Sequence, residues 1–355
     1  MPKTDTMKPS PQPLRRLAAA LALAAMAPGA AAIDAAAPYV PRAVQVEPGR
    51  PYVRPDGAVA IYGNDGLADV IDAFDKLFTA SHPNVRFATT MQGSSTGMPA
   101  LAADATAFAP LTRDMWPGDR AAFHQIHGYD ATPIRVGYNG YGPRAPNKTP
   151  PAVYVNVHNP LAGLSLPQVA QIFTAGQAGR DVNLWAQLGL KEDWAARRIH
   201  AYGLADDGGF ATGIRQGKLG GKPYALKYEA LASREAVLRA VANDRYGIAL
   251  LGWVDAARTS DQVRVLPLTA QDGAPFYTPG YDDVARGLYP LAMPVQFYVN
   301  RPPSQPLDPL VKEYLRLALS REGQAVLAAQ KDTEEGYVPL SPADLQHEVQ
   351  KLEAL

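Results

Sequence analysis

The chain has 355 residues and carries 34 basic and 34 acidic side chains, so its formal net charge is zero. A protein this close to neutrality has no broad basic surface for holding nucleic acid, and no nucleic-acid partner is expected. The chain contains no cysteine, which excludes disulfides, thiol chemistry and cysteine-ligated metal sites.

The first 32 residues have the order of a secretory signal peptide. Residues 1–16 include four basic side chains, residues 17–27 are apolar, and small residues follow up to Ala32. This order predicts export and cleavage near Ala32. No later run has the roughly 18 to 20 consecutive apolar residues of a membrane span. The mature chain is therefore expected to be soluble in the periplasm, and its length of about 320 residues favours two domains.

Strands and helices alternate after a proline-rich, irregular leader at residues 33–57. Residues 58–63 predict a strand, residues 67–83 an amphipathic helix with one apolar face, and residues 85–91 a second strand. A turn of small residues, QGSSTG, then opens a second predicted helix. Strands and helices in this succession indicate an α/β protein with a parallel sheet.

The later part of the chain continues this pattern. Residues 134–142 and 152–157 predict strands, and a helix follows whose N-cap is Ser165. The remaining predicted elements are a helix at 235–244, a strand at 248–251, a strand with two prolines at 289–300, and two amphipathic helices within 309–330.

The turn QGSSTG (residues 92–97) admits two interpretations. Its GSSTG part matches the G-x-S-x-G nucleophile elbow of serine hydrolases, with Ser95 as the nucleophile. Alternatively, free N–H groups and hydroxyls at the start of a helix bind an anion, with Ser94 as a contact. No histidine after Ser95 has a suitable loop context, and no HGGG-type segment precedes it. Binding is therefore the favoured interpretation, and a serine hydrolase stays as the alternative.

One pair of histidines in the sequence has a spacing found in metal sites. His124 and His127 are three residues apart, as two ligands on one helix face can be, but no third ligand lies near them in the sequence. HExxH, Walker-type and EF-hand patterns are missing from the sequence. We therefore predict neither a metal site nor a cofactor.

Four turns at predicted strand ends share a small and polar character. In open α/β sheets ligands bind beyond the carboxyl ends of strands, where helix N-termini carry about half a positive charge. The candidate ligand contacts in these turns are Asn64, Asp65, Gly66, Leu67, Gly93, Ser94, Ser95, Thr96, Thr112, Arg113, Asp207, Gly208, Gly209 and Phe210.

Five stretches resemble the periplasmic phosphate-binding proteins of ABC phosphate importers, and together they span roughly residues 58–342. The most specific are GLSLPQVAQIF and GYVPL. The others are the loop at 63–67 with its helix, the stretch HPNVRFATTMQGSSTGMPAL, and FAPLTRDMWPGD. The resemblance implies the type II periplasmic binding-protein fold, in which two α/β lobes, each a central sheet flanked by helices, close over an anion.

The same resemblance implies a domain layout and partners. The two hinge crossings would lie near residues 134–142 and 289–299. Lobe I would combine residues 58–136 with 294–345, lobe II would be residues 137–293, and residues 346–355 would form a C-terminal tail. The protein would be a monomer without enzymatic activity that delivers a phosphate-like anion to the membrane permease of an ABC transporter.

The departures from this family fall in the anion loops. Relatives carry a threonine where Gly66 stands, whereas Ser94 matches their binding serine. An aspartate that accepts a proton from the anion is expected where Ala107 or Phe108 stands, and an arginine where Leu204 stands.

A Ser-Gly-Thr triplet of the relatives is replaced by residues 208–210, beside Asp206 and Asp207. Each charge-assisted donor contributes about 1.5 to 3 kcal/mol. Losing an arginine and two hydroxyls would therefore weaken phosphate binding by about 5 kcal/mol, or more than three decades. Arg113 and Arg215 are the cations that could compensate.

Three alternatives to phosphate capture follow. The first is the same scaffold with a larger or less charged ligand. The second is a relative that has lost binding and serves as a structural or signalling partner. The third is the serine hydrolase with Ser95.

Overall fold

The computed structural model describes residues 35–144, 148–255 and 259–355. The predicted signal peptide, residues 1–32, lies outside the described residues. No helix within the described ranges is both long and apolar enough to cross a bilayer.

The strands alternate with helices along most of the chain. They are β1 (Val59–Gly63), β2 (Phe87–Met91), β3 (Ala109–Leu111), β4 (Thr132–Tyr138), β5 (Ala152–Asn156), β6 (Leu164–Ser165), β7 (His200–Leu204), β8 (Tyr228–Leu231), β9 (Gly247–Leu251), β10 (Val263–Leu266), β11 (Leu268–Thr269), β12 (Pro294–Val299) and β13 (Val338–Pro339).

The helices flank these strands. They are α1 (Ala68–Ser81), α2 (Ser94–Ala102), α3 (Pro117–His127), α4 (Leu166–Phe173), α5 (Phe210–Lys218), α6 (Arg234–Asn243), α7 (Tyr281–Ala285), α8 (Pro309–Ala318), α9 (Arg321–Ala328) and α10 (Pro342–Glu353). Short 3₁₀ helices occur at Asp65–Leu67, Trp185–Leu188, Glu192–Trp194 and Ala329–Asp332.

Two larger sheets organise the molecule. One has the strand order β13-β4-β12-β3, and the other has the order β10-β5-β9-β7-β8. The pair β1–β2 lies beside β3, because the Ala107 N–H donates to the Ala60 carbonyl at 2.9 Å and the Asn64 N–H to the Pro110 carbonyl at 2.9 Å. The first sheet thus takes strands from the early and late parts of the chain, and the second takes strands from the middle.

The predicted parallel sheet is found only in part. β1 and β2 are parallel, as are β7, β8 and β9. In contrast, β5 runs antiparallel to β9 and β10, and β12 runs antiparallel to β3 and β4. β4 carries the chain out of the first sheet and β12 brings it back, so these two neighbours necessarily run in opposite directions.

Local sequence signals explain several boundaries. The Ser165 hydroxyl accepts the N–H of Gln168 at 3.2 Å, and the Gln168 side chain accepts the N–H of Ser165 at 2.9 Å. This capping box starts α4 at the predicted N-cap. The strand predicted at 289–300 begins only at Pro294, because the Ala292 N–H donates to the Tyr289 carbonyl at 3.1 Å and closes a turn around Pro290.

The two ends of the described chain are fixed to the fold. In the leader, the Tyr39 N–H donates to Glu322 at 2.7 Å and its hydroxyl to Glu313 at 2.8 Å. Residues 346–355, predicted as a tail, belong largely to helix α10, which buries Leu345 and Leu352. The short amphipathic pattern of this helix was overlooked in the sequence.

An aromatic cluster forms the core beside the first sheet. Phe108 stacks on Phe297 at a centroid distance of 5.2 Å and contacts Tyr314 at 4.8 Å. The Tyr314 hydroxyl donates to Asp75 at 2.7 Å, and burial raises the pKa of Asp75 to about 7. Phe108 stands at one of the two positions where relatives are expected to carry an aspartate, and there it is core rather than site.

Candidate functional site

A cavity of about 240 Å³, here the first chamber, lies where turns of both larger sheets meet. Its lining residues are Asn64, Ser94, Ser95, Thr112, Arg113, Trp116, Pro151, Gly208, Gly209, Phe210, Gly213, Ile214, Trp253 and Met293. Turns that are far apart in the sequence therefore form one site.

The N-terminus of α2 contributes a set of hydrogen-bond donors to the first chamber. Gly93 has φ of 108°, a backbone conformation that favours glycine, and the N–H groups of Gln92 and Gly93 both donate to the Gly63 carbonyl. This turn starts α2 at Ser94, and the first N–H groups of a helix have no intrahelical acceptor. The Ser94 Oγ is buried and has no hydrogen-bond partner among the described residues. An oxyanion is the natural acceptor for such donors.

The N-terminus of α5 faces the same chamber, but part of its donor set is already used. The Gly208 N–H donates to Thr212 Oγ1 at 2.8 Å, and the Gly209 N–H donates to Asp207 at 3.2 Å. Asp207 therefore holds the turn and is exposed. Among the described residues no side chain caps the start of α5. The first N–H groups of a helix have no intrahelical acceptor, so those that begin α5 at Phe210 can bind a ligand.

Asp206 and Arg215 neutralise each other beside this turn. Arg215 Nε lies 2.9 Å from Asp206 Oδ2, and the Thr212 hydroxyl donates to Asp206 at 2.6 Å. Arg215 is not among the lining residues of the first chamber. The Asp206 carboxylate, which would repel an anion if it were free, is thus paired. Arg215, expected from the sequence as a cation that could compensate for the missing arginine, is used in this ion pair.

Arg113 is buried in the wall of the first chamber. Its Nη1 lies 2.7 Å from Asp119 Oδ2, and its guanidinium lies 4.0 Å from the ring centroid of Trp116. Asp119 also accepts the N–H of Trp116 at 3.0 Å. The Asp119 carboxylate therefore holds the Arg113 side chain and the Trp116 backbone, and it cancels most of the charge that Arg113 brings to the wall.

A second chamber of about 370 Å³ shares Asn64, Thr112 and Trp253 with the first. Its other lining residues are Asp65, Gly66, Asn139, Lys148, Arg234 and Glu335. Lys148 Nζ lies 2.9 Å from Glu335 and 3.0 Å from Glu334, and Arg234 donates to the Gly252 carbonyl at 3.0 Å. This chamber is polar and contains charges of both signs.

Gly66 lies against a tyrosine hydroxyl. A Cβ atom at Gly66 would lie 2.9 Å from Tyr337 Oη and 3.0 Å from Glu335 Oε2. The Tyr337 hydroxyl is buried without a hydrogen-bond partner among the described residues, and burial raises its pKa well above the ordinary value. It therefore stays a neutral hydroxyl in the space that a side chain at position 66 would need.

Most of the predicted contacts come together. Asn64, Ser94, Ser95, Thr112, Arg113, Gly208, Gly209 and Phe210 line the first chamber, and Asp65 and Gly66 line the second. Four predicted contacts are not among the lining residues. Leu67 is a core residue, Asp207 accepts from Gly209, and Gly93 and Thr96 are joined by a 2.8 Å hydrogen bond within the turn.

Sequence reasoning missed the aromatic and charged residues of this cleft. Trp116, Trp253, Lys148 and Arg234 line it, and Tyr337 approaches it behind Gly66. Trp116, which directly follows the stretch TRDM, is a bulky residue in a polar turn, and this could have indicated a role in the site. The others lie in distant segments that gave no local signal.

The alternative sites find no support in the described part of the chain. Ser95 forms no hydrogen bond with a histidine there; His124 contacts Asp130 at 3.2 Å and His127 contacts the Ala102 carbonyl at 3.0 Å. Groups of three or more metal-ligating side chains are likewise not found among the described residues.

Comparisons with known proteins agree with this fold. Residues 56–322 match the PBP superfamily domain. The phosphate-binding protein PstS of Pseudomonas aeruginosa strain PAO1 is 30% identical over 334 residues, which cover 92% of this chain and 95% of that protein. PstS of strain UCBPP-PA14 gives the same values.

Solved structures of low sequence identity share the fold. PstS from Borrelia burgdorferi has a TM-score of 0.55 at 15% identity and covers 80% of this chain and 98% of its own. An ABC-type phosphate transport receptor from Vibrio cholerae has a TM-score of 0.52 at 15% identity, covering 79% and 99%.

These findings define a two-lobe α/β binding protein and confirm the predicted fold class. The chain belongs to the PBP superfamily and, within it, to the family of phosphate-binding proteins that includes PstS. The relatives are binding proteins rather than enzymes, which confirms the prediction of a protein without catalytic activity.

Proposed function

We propose that this chain is an exported solute-binding protein that captures a phosphate-type oxyanion in the first chamber. It would act in the periplasm as a monomer, after removal of residues 1–32, and would hand the anion to the permease of an ABC importer. The 30% identical relative from Pseudomonas aeruginosa is a phosphate-binding protein, which supports the ligand class.

The observation that carries this proposal is the Ser94 hydroxyl. It is buried and without a hydrogen-bond partner among the described residues, and it lies in the first turn of α2, where the leading N–H groups of a helix have no intrahelical acceptor. An unsatisfied buried hydroxyl costs about 1 to 3 kcal/mol. An oxyanion accepting its proton would remove that cost and add charge-assisted hydrogen bonds.

Closure of the two lobes is the second part of the proposal. We take lobe I as residues 58–136 with 294–345, and lobe II as 137–293, so that β4 and β12 lead into the crossings. First-chamber residues come from both: Ser94 and Arg113 from lobe I, Phe210 and Trp253 from lobe II. Hinge motion around β4 and β12 would then open and close the chamber over the anion.

Thermal unfolding with inorganic phosphate tests this function, using Ser94→Ala and a matched control. Ser81 is exposed at the end of α1, so Ser81→Ala removes a hydroxyl outside the cleft. Phosphate should raise the melting temperature of the wild type and of Ser81→Ala, because it binds only the folded state. The Ser94→Ala variant should lose this shift while unfolding in buffer at an unchanged or slightly higher temperature. An equal shift in all three proteins would refute the assignment of Ser94.

A further inference from the structure

We propose that the site prefers an organic phosphate or phosphonate with a flat apolar substituent over inorganic phosphate. This inference rests on the proposed function, since the anionic head would occupy the same donors at α2 and α5. The substituent would lie against an aromatic wall formed by Trp116, Phe210 and Trp253, all of which line the first chamber.

The aromatic wall is held in place from several sides. The Trp116 ring covers Arg113 at 4.0 Å, and its edge approaches Gly213, where a Cβ would lie 3.4 Å from the ring. The Phe210 ring packs on Gly252 so closely that a Cβ there would be 2.6 Å away. Rings fixed by packing lose little further freedom when a ligand stacks on them, which favours binding of a flat group.

Trp253 carries the clearest sign of a functional constraint. Its φ of 55° lies in the left-handed region, which bulky residues rarely adopt. The Trp253 N–H donates to the Thr149 carbonyl at 2.7 Å and so helps to hold this conformation. Glycine would fit the backbone there without strain. A large indole at such a position, lining both chambers, points to a role for the ring itself.

The charges of the cleft give a bound anion little net electrostatic attraction. Arg113 and Lys148 are each within 2.9 Å of a carboxylate. Asp65 and Glu335 line the second chamber together with Arg234. Positive charge therefore does not exceed negative charge around the site, and a dianion would gain little from it. A phosphonate that adds apolar contact to its hydrogen bonds can compensate for this deficit.

The space also exceeds what a tetrahedral anion needs. Inorganic phosphate has five heavy atoms, whereas the first chamber of about 240 Å³ adjoins a second of about 370 Å³. Together they approach the size of pockets that hold larger organic ligands. Asn64, Thr112 and Trp253 line both chambers.

Calorimetric titration with three probes tests the inference: inorganic phosphate, methylphosphonate and phenylphosphonate, at one pH and ionic strength. We expect phenylphosphonate to bind at least about tenfold more tightly than the other two, as expected for one well-packed ring. Trp253→Gly, which suits the backbone conformation, and Trp116→Ala should each remove most of this preference. Phe276→Ala, which truncates a ring that is 47% exposed outside both chambers, is the matched control.

The outcomes separate this inference from the function on which it rests. If phosphate or methylphosphonate binds as tightly as phenylphosphonate, the organic ligand class is wrong and anion capture stands. If the phenyl preference survives both tryptophan substitutions, the aromatic wall is wrong. If none of the three probes binds, anion capture and the ligand class fail together.

Discussion

Threonine at position 66, which the family resemblance leads one to expect there, should destabilise this protein. The Cβ alone would lie 2.9 Å from Tyr337 Oη, 3.0 Å from Glu335 Oε2 and 3.1 Å from Asn64 Oδ1. The glutamate can move, but Tyr337 is a buried ring that is only 1% exposed. Overpacking of this kind costs about 1 to 3 kcal/mol, so Gly66→Thr should lower the free energy of unfolding by that amount.

A double-mutant cycle isolates the cause. Tyr337→Phe removes the contacting oxygen and also a buried hydroxyl without a partner among the described residues, so this variant should be near neutral. The combination Gly66→Thr with Tyr337→Phe should recover about 1 to 2 kcal/mol relative to the sum of the single effects. Urea unfolding at constant m-value measures all four corners of the cycle. Additive effects, or a neutral Gly66→Thr, would refute the steric reasoning.

Three further predictions concern the core, the charge of the site and its turn. Burial raises the folded pKa of Asp75 to about 7, so wild-type stability should fall by on the order of 3 kcal/mol as pH rises from about 4 to 7. Asp75→Asn should unfold at higher urea than the wild type at pH 8 but not at pH 4, and parallel stability curves would contradict the raised pKa. Asp119→Asn should release Arg113 from its 2.7 Å ion pair and tighten phosphate binding by roughly fivefold at low salt, measured by calorimetry. Unchanged or weaker binding would show that Asp119 does not limit the attraction of Arg113 for the anion. Gly93→Ala places a side chain on a backbone with φ of 108° and should lower the free energy of unfolding, measured in urea, by about 1 to 2 kcal/mol. The control Gly118→Ala, in a helix with open space around it, should be neutral or stabilising. Equal effects of the two substitutions would show that the turn at Gly93 is not strained.

Local patterns in the sequence were sufficient to predict most of the secondary structure. The capping box joins Ser165 and Gln168 within one turn of helix, so its formation depends little on the rest of the fold. The antiparallel pairing of β4 and β12 joins segments that are distant in the chain. No local pattern specifies that pairing, and only the family resemblance suggested the crossing.

The candidate site was predictable in its turns but not in its walls. The turns could be placed because strand ends meet at one edge of a sheet. Trp253 lines the site from a backbone position with φ of 55°, and sequence periodicity does not report such a conformation. The charge of Arg113 was visible in the sequence, whereas its neutralisation by Asp119 depends on how the two side chains fold together.

Calorimetric titration of the purified mature protein with inorganic phosphate, after removal of carried-over anion, tests anion capture most directly. Saturable binding of one phosphate per chain, weakened about 10- to 150-fold by Ser94→Ala and unaffected by Ser81→Ala, is the predicted result, since a hydrogen bond to a charged group contributes about 1.5 to 3 kcal/mol. Absence of heat up to millimolar phosphate and phosphonate, from a protein that is folded by circular dichroism, would contradict it.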